Sequence, residues 1–152
     1  MDIQDNQHDN DQRVVILGVA GSDAHAVANH LIAYFLRARG FTVVNLGTCT
    51  PIAEFAGACR DHPEAEAVLI GSLNGHAYED LRDLKAARAN GQITCPVIVG
   101  GNLSVGSHKS DADIQRLYGL GVDHILADTD QLPDLLNALL DVRTSQRAHQ
   151  AS

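Results

Sequence analysis

The feature that most restricts this chain is an alternation. Short apolar runs rich in β-branched residues take turns with stretches whose apolar residues recur at helical spacing. "VVILGV" (14–19) is a continuous apolar run, as a strand buried on both faces requires. Val27, Leu31, Tyr34, Phe35 and Ala38 then recur along one helical face, and Gly40 supplies a helix stop. "FTVVNLG" (41–47) predicts the second strand, Pro51 opens a helix to about Arg60, and "EAVLIG" (66–71) predicts the third strand. "YEDLRDLKAARANG" (78–91) reads as a helix closed by Asn90-Gly91, and "CPVIVGG" (95–101) as the fourth strand. "DADIQRLYGLG" (111–121) is a further helix, "VDHILA" (122–127) a weaker fifth strand, and "QLPDLLNALLDV" (131–142) the last helix.

Five strand–helix units in strict alternation predict an α/β fold: a parallel sheet with right-handed crossovers and helices on both faces. For five units the expectation is a flavodoxin-like (Rossmann-like) doubly wound five-stranded sheet of order 2-1-3-4-5. A chain of 152 residues is long enough for one domain with a real core. That domain is expected over 13–142. The polar, amide-rich segments 1–12 and 143–152 have little to bury and are expected to be disordered tails.

Composition narrows the function. The net charge is -8 and the only lysines are Lys85 and Lys109, so neither a phosphate-binding basic patch nor polybasic membrane docking is expected. No apolar run reaches the roughly 20 residues of a membrane span, and the acidic start "MDIQDNQHDNDQR" does not resemble a targeting peptide. The expected location is the cytoplasm. Cys49, Cys59 and Cys95 are odd in number and lack C-x-x-C spacing, which argues against a disulfide framework or a thiolate zinc site.

In open parallel sheets, ligands bind beyond the carboxyl ends of the strands where strand order reverses. Here that places a site among "GSDAH" (21–25), "GSLNGH" (71–76) and "GGNLSVG" (100–106). All three segments are rich in Gly, Ser or Asn, which let a ligand approach the backbone. No Gly-Lys-Ser/Thr phosphate loop occurs, and "GVAGSD" lacks the tight first pair of G-x-G-x-x-G. A phospho-acceptor aspartate after the third strand is also missing, since Gly71, Ser72, Leu73 and Asn74 stand there. His76 and His108 read as exposed polar residues, and Cys49 has no neighbouring base to make it a nucleophile.

Asp23 and His25 remain. Asp23 can cap the helix that follows, and it can also orient the imidazole, because a metal-ligating His donates its other ring N–H to a carboxylate or carbonyl. One nitrogen ligand is too few for a bare zinc or iron ion. A metal already held in a macrocycle needs only one.

Together "GSDAHAVANHLI", "GSLNG" and "VGGNLSVG" resemble the cobalamin-binding small subunit of glutamate mutase (methylaspartate mutase), over about Val14 to Val142. The family's pattern is D-x-H-x-x-G, S-x-L and G-G, in that order. The resemblance implies an adenosylcobalamin cofactor bound base-off, with His25 as axial ligand to cobalt and Asp23 as its orienting partner. The cofactor's nucleotide tail would lie beside the first helix, near Ser22, Asp23, Ala24 and Ala26, near Gly71, Ser72 and Leu73, and near the loop of Gly100, Gly101, Asn102, Leu103, Ser104, Val105 and Gly106. It also implies a larger barrel-type subunit carrying the substrate, in a heterotetramer of two small and two large subunits, and a radical interconversion of glutamate and 3-methylaspartate. The chain alone would be a non-catalytic subunit.

Two positions depart from the pattern. Ala28 replaces the closing glycine of D-x-H-x-x-G, and Gly71 replaces the serine of S-x-L. Ser72 is adjacent, but a one-residue offset on a strand points it to the other face. Two other readings stay open at this point: a stand-alone cobalamin carrier or sensor without mutase activity, and a flavodoxin-like relative that no longer binds corrinoid.

Overall fold

The computed structural model describes residues 13–21, 26–72, 77–100, 111–126 and 129–151. Five strands make one sheet: β1 (Arg13–Val19), β2 (Phe41–Asn45), β3 (Ala67–Gly71), β4 (Val97–Gly100) and β5 (His124–Leu126). Every neighbouring pair is parallel, and the order is β2-β1-β3-β4-β5, as the alternation predicts. The helices are α1 (Ala26–Ala38), α2 (Ile52–Asp61), α3 (Ala77–Asp80), α4 (Leu84–Ala89), α5 (Asp111–Gly119) and α6 (Leu132–Ala151).

The strands bury both faces, and side-chain alternation sends successive residues to two separate cores. Val14, Ile16, Val68, Ile70, Val97 and Val99 pack with α2, α4 and α5 through Phe55, Leu84 and Leu117. Val15, Leu17, Leu69 and Ile98 pack on the other face with Ala33 and Leu36 of α1 and Leu132 and Leu136 of α6. Each fully buried aliphatic side chain contributes about 1.5–3 kcal/mol of transfer free energy.

Three details differ from the sequence reading. The helix expected over 78–91 is broken at Leu81–Asp83 into α3 and α4. Short i-to-i+3 bonds there (Leu84 N–H to Leu81 O, 2.9 Å) form a tight turn that carries both Leu81 and Leu84 into the core. Straight helical spacing would keep residues three apart on one face only approximately, and the turn aligns them.

The second difference is at the end of the chain. The last helix does not stop at Val142. It continues to Ala151, so the segment expected to be a tail is helical through that residue. After Pro133 no glycine or proline interrupts it, and nothing in the local sequence breaks the backbone ladder once packing against the sheet has started it. The expectation for residues 1–12 lies outside the described residues.

The third is the rotation of α1. Its buried residues are Asn29, Ala33 and Leu36, while Val27, Leu31 and Tyr34 are 74%, 63% and 76% exposed. Both sets have i, i+4, i+7 spacing, so periodicity alone does not choose between them. Polar anchors choose: Asn45 Nδ2 donates to Asn29 Oδ1 at 2.7 Å, and Arg37 Nη2 donates to Val43 O at 3.1 Å. Both bonds tie α1 to β2 and fix which stripe meets the sheet. Gly40, at φ +93°, then turns the chain directly into β2.

Candidate functional site

The strand register lays a row of residues across the carboxyl edge of the sheet. Val19 pairs with Gly71, Gly71 with Gly100, and Gly100 with Leu126. The ladder continues one step further, with Ala20 N–H donating to Gly71 O and Ser72 N–H to Gly100 O, both at 2.9 Å. Gly71 and Gly100 share the parity of Leu69 and Ile98, so both face the α1–α6 side. Two neighbouring strands thus end in glycine on the same face. A Cβ at Gly71 would come no nearer than 3.9 Å to Val19 Cγ2 and 4.0 Å to Gly18 O, so the floor there has room.

α1 packs beside this floor, over β1 and β2. Asn29, its first buried position, is 2% exposed, and its Oδ1 is occupied by Asn45. Asn45 is itself fixed, because its Oδ1 accepts from Gly47 N–H at 3.0 Å. Among the described residues, Asn29 Nδ2 is buried with no hydrogen-bond partner, as is the hydroxyl of Ser72, which is 0% exposed. Such a group costs roughly 1–3 kcal/mol while it is unpaired. By alternation Ser72 faces the α2–α5 side with Val68 and Ile70, away from the glycine floor.

Of the residues the sequence singles out, Ala26 opens α1, Gly71 closes β3, Ser72 follows it and Gly100 closes β4. The sheet brings Gly71 and Gly100 into register. Ser22, Asp23, Ala24, His25, Leu73, Gly101, Asn102, Leu103, Ser104, Val105 and Gly106 lie outside the described residues. The chain leaves the described edge toward them from Gly21, Ser72 and Gly100. Ala28 is partly buried on α1, one residue before Asn29. Among the described residues, no group of three or more His, Cys, Asp or Glu side chains could hold a metal ion.

Asn29 lies within the segment "GSDAHAVANHLI" that carries the resemblance, but Asn45 and the bond between the two are not read from sequence. Their signal was present: one amide at the first inward position of an amphipathic helix, another at the end of an otherwise apolar strand. A buried amide needs partners, so two of them near one loop cluster point to each other and to a ligand.

Gly71 and Gly100 thus leave one edge of the sheet free of side chains, and the buried Asn29 amide lies on the helix packed beside it. The B12 binding domain family matches residues 13–136, so the class is a cobalamin-binding domain, and its cofactor is a cobalamin. The similarity extends to a narrower group. The glutamate mutase sigma subunit of Halobacterium salinarum is 44% identical over 113 residues, 74% of this chain and 75% of that protein. Sigma subunit 2 of Haloarcula marismortui is 35% identical over 139 residues, 90% of this chain and 93% of that one. The chain belongs to the glutamate mutase sigma subunit family.

Solved structures agree on the fold. A cobalamin-binding protein from Desulfitobacterium hafniense superposes with a TM-score of 0.69 at 19% identity, covering 85% of this chain and 60% of that one. The methanol:cobalamin methyltransferase complex from Methanosarcina barkeri gives 0.59 at 27% identity, covering 82% and 46%. The chain therefore spans less than two thirds of each of these proteins. Among the described residues, no helix is long and apolar enough to cross a membrane.

Proposed function

We propose that this chain is the cofactor-carrying subunit of an adenosylcobalamin-dependent glutamate mutase, interconverting L-glutamate and 3-methylaspartate together with a larger, barrel-type subunit that holds the substrate. When bound, the cofactor supplies an organic radical by homolysis of its cobalt–carbon bond. The protein's own residues hold and orient it. His25 would hold the cobalt through one ring nitrogen, and the Asp23 carboxylate would accept the other ring N–H, fixing the tautomer and strengthening the donor nitrogen.

The observation that carries this reading is the pair of glycines, Gly71 and Gly100, in register at the carboxyl edge of the sheet, with the buried Asn29 amide on α1 as a separate polar anchor over the end of β2. A nucleotide tail lying between α1 and the sheet needs both features: a floor without side chains for close approach, and a buried donor for one of its many oxygen acceptors. Ser22, Ala24, Ala26, Leu73 and residues 101–106 would supply further contacts to it. Asn29 is held in place by Asn45, so its Nδ2 donor is pre-positioned rather than ordered on binding. The family names of the relatives support the mutase reaction and the larger partner. We assign the complex two copies of each subunit and a cytoplasmic location.

The test is reconstitution. The full chain, a co-expressed larger subunit and adenosylcobalamin should convert glutamate to 3-methylaspartate, and omission of this chain should abolish turnover. Cobalamin binding without turnover in the presence of the larger subunit would reduce the chain to a carrier. Absence of cobalamin binding would remove the proposal altogether.

A further inference from the structure

The opposite end of the sheet carries a second concavity. A cavity of about 550 Å³ lies between the end of α2 and the segments that enter β3 and β4. Ala53, Ala56 and Gly57 keep the α2 side of its wall low, and the same wall contains Cys59 and Cys95. Two of the chain's three cysteines, distant in sequence, are thus brought to one opening, and both are only partly buried. The third, Cys49, is exposed in the loop after β2.

The two thiols border the same cavity with unequal surroundings, the Arg88 guanidinium being anchored on the Cys95 carbonyl. Cys59 holds its proton well above the ordinary thiol range, first through the Cys95 side chain, then through burial and the charge on Cys95. Cys95 is held below that range, chiefly by the Cys59 side chain and, against burial, by the nearby Arg88 and Arg143 guanidinium groups. Arg88 is fixed in place: it donates to Cys95 O at 2.9 Å and Gly121 O at 3.0 Å, and it pairs with Asp123. One sulfur is therefore disposed to act as the nucleophilic thiolate, beside a second that can resolve what it forms. The cobalamin site has no use for either residue.

We propose that Cys59 and Cys95 are a redox-active thiol pair that an oxidant of the hydroperoxide class converts to an intramolecular disulfide in this cavity. The Cys95 thiolate attacks one peroxide oxygen and the O–O bond breaks. The other oxygen leaves and takes up the proton that Cys95 had given up, departing as an alcohol, or as water when the oxidant is hydrogen peroxide. Cys95 is then a sulfenic acid. Cys59 loses its proton and attacks that sulfur, the S–O bond breaks, and water leaves with the proton as the S–S bond forms. Two thiols are oxidised and one peroxide is reduced. The new bond joins α2 to the start of β4, at the end of the sheet remote from the cofactor.

The experiment uses the full-length chain with Cys49→Ser, reduced and then freed of reductant. Treatment with hydrogen peroxide should remove both remaining thiols from a thiol titration. The intact mass should fall by two hydrogen atoms, and a Cys59–Cys95 peptide should be found that a reductant releases. In the same background Cys59→Ser should stop at a sulfenic acid trapped by dimedone, and Cys95→Ser should react far more slowly. Two thiols that still titrate after treatment would overturn the proposal, as would disulfides only between chains, or sulfinic acid without a cross-link. Should either serine variant fail to fold, the peptide map of the Cys49→Ser chain decides alone.

Discussion

Gly18 lies within β1 against the ring of Phe55, where an added Cβ would sit 2.7 Å from Phe55 Cζ and 2.8 Å from Cε1. Phe55 is fully buried, so its ring has nowhere to move. Gly18→Ala is therefore expected to cost about 1–3 kcal/mol, read as a lower urea midpoint with an unchanged slope. Gly71 is the opposite case. Its surroundings accept a Cβ, so Gly71→Ser should leave stability nearly unchanged. If the cofactor's base sits on the glycine floor, the restored hydroxyl should tighten corrinoid binding by roughly fivefold, the equivalent of about 1 kcal/mol. Titration of the visible spectrum checks this, and unchanged affinity would place the base elsewhere. Asn29→Ala should weaken binding and also destabilise the apoprotein by about 1 kcal/mol, because Asn45 Nδ2 loses its acceptor. The glycines could be read from sequence as loop and strand-exit residues, but their opposite tolerances could not. Tolerance depends on which side chain another element brings against the position: Phe55 from α2 for Gly18, and open space for Gly71.

At the scale of elements, the alternation of runs and helical patterns carries the parallel order directly. A continuous β-branched strand needs cover on both faces, and intervening helices supply it. The rotation of α1 was not legible, because "AVANHLIAYFLRA" is apolar around most of its circumference. Two hydrogen bonds to β2 decide it, and they connect residues that sequence spacing does not relate. The consequence is an exposed stripe of Val27, Leu31 and Tyr34 on the helix that starts at the cofactor edge. Were the proposed larger subunit to cover this stripe, a charge placed on it would weaken the assembly without touching this chain's core. Leu31→Asp should leave the melting temperature of the isolated chain within the small range of surface changes, yet reduce co-purification with the larger subunit. A matching loss of stability would instead make the stripe part of this chain's own packing. At the far end of the sheet, Arg88 ties α4 to the entry of β4 and to Gly121, and Asp123 Oδ2 also accepts from Val97 N–H at 2.8 Å. Arg88→Ala should cost about 2–4 kcal/mol in chemical denaturation, since it leaves several carbonyls and a carboxylate without their donor.

For the whole molecule, one sheet separates two chemistries. The carboxyl ends of β1, β3 and β4 present the glycine floor and the Asn29 amide, while the amino ends of β3 and β4 border the thiol cavity. Sequence reasoning points to the first end because strand order reverses between β1 and β3, and Gly, Ser and Asn cluster in residues 21–25, 71–76 and 100–106. It does not point to the second end, since Cys59 and Cys95 lack any motif spacing and meet only through the crossover of α2 over the sheet. The proposed function requires His25 to ligate cobalt in a base-off cobalamin. The direct measurement is electron paramagnetic resonance of the cob(II)alamin form bound to the full-length chain, prepared with and without nitrogen-15 in its histidines. Ligation by His25 predicts that the nitrogen splitting changes from three lines to two on labelling, and that the change disappears in His25→Ala. Splitting that ignores the label would show the cofactor's own base still on cobalt, and would contradict the account.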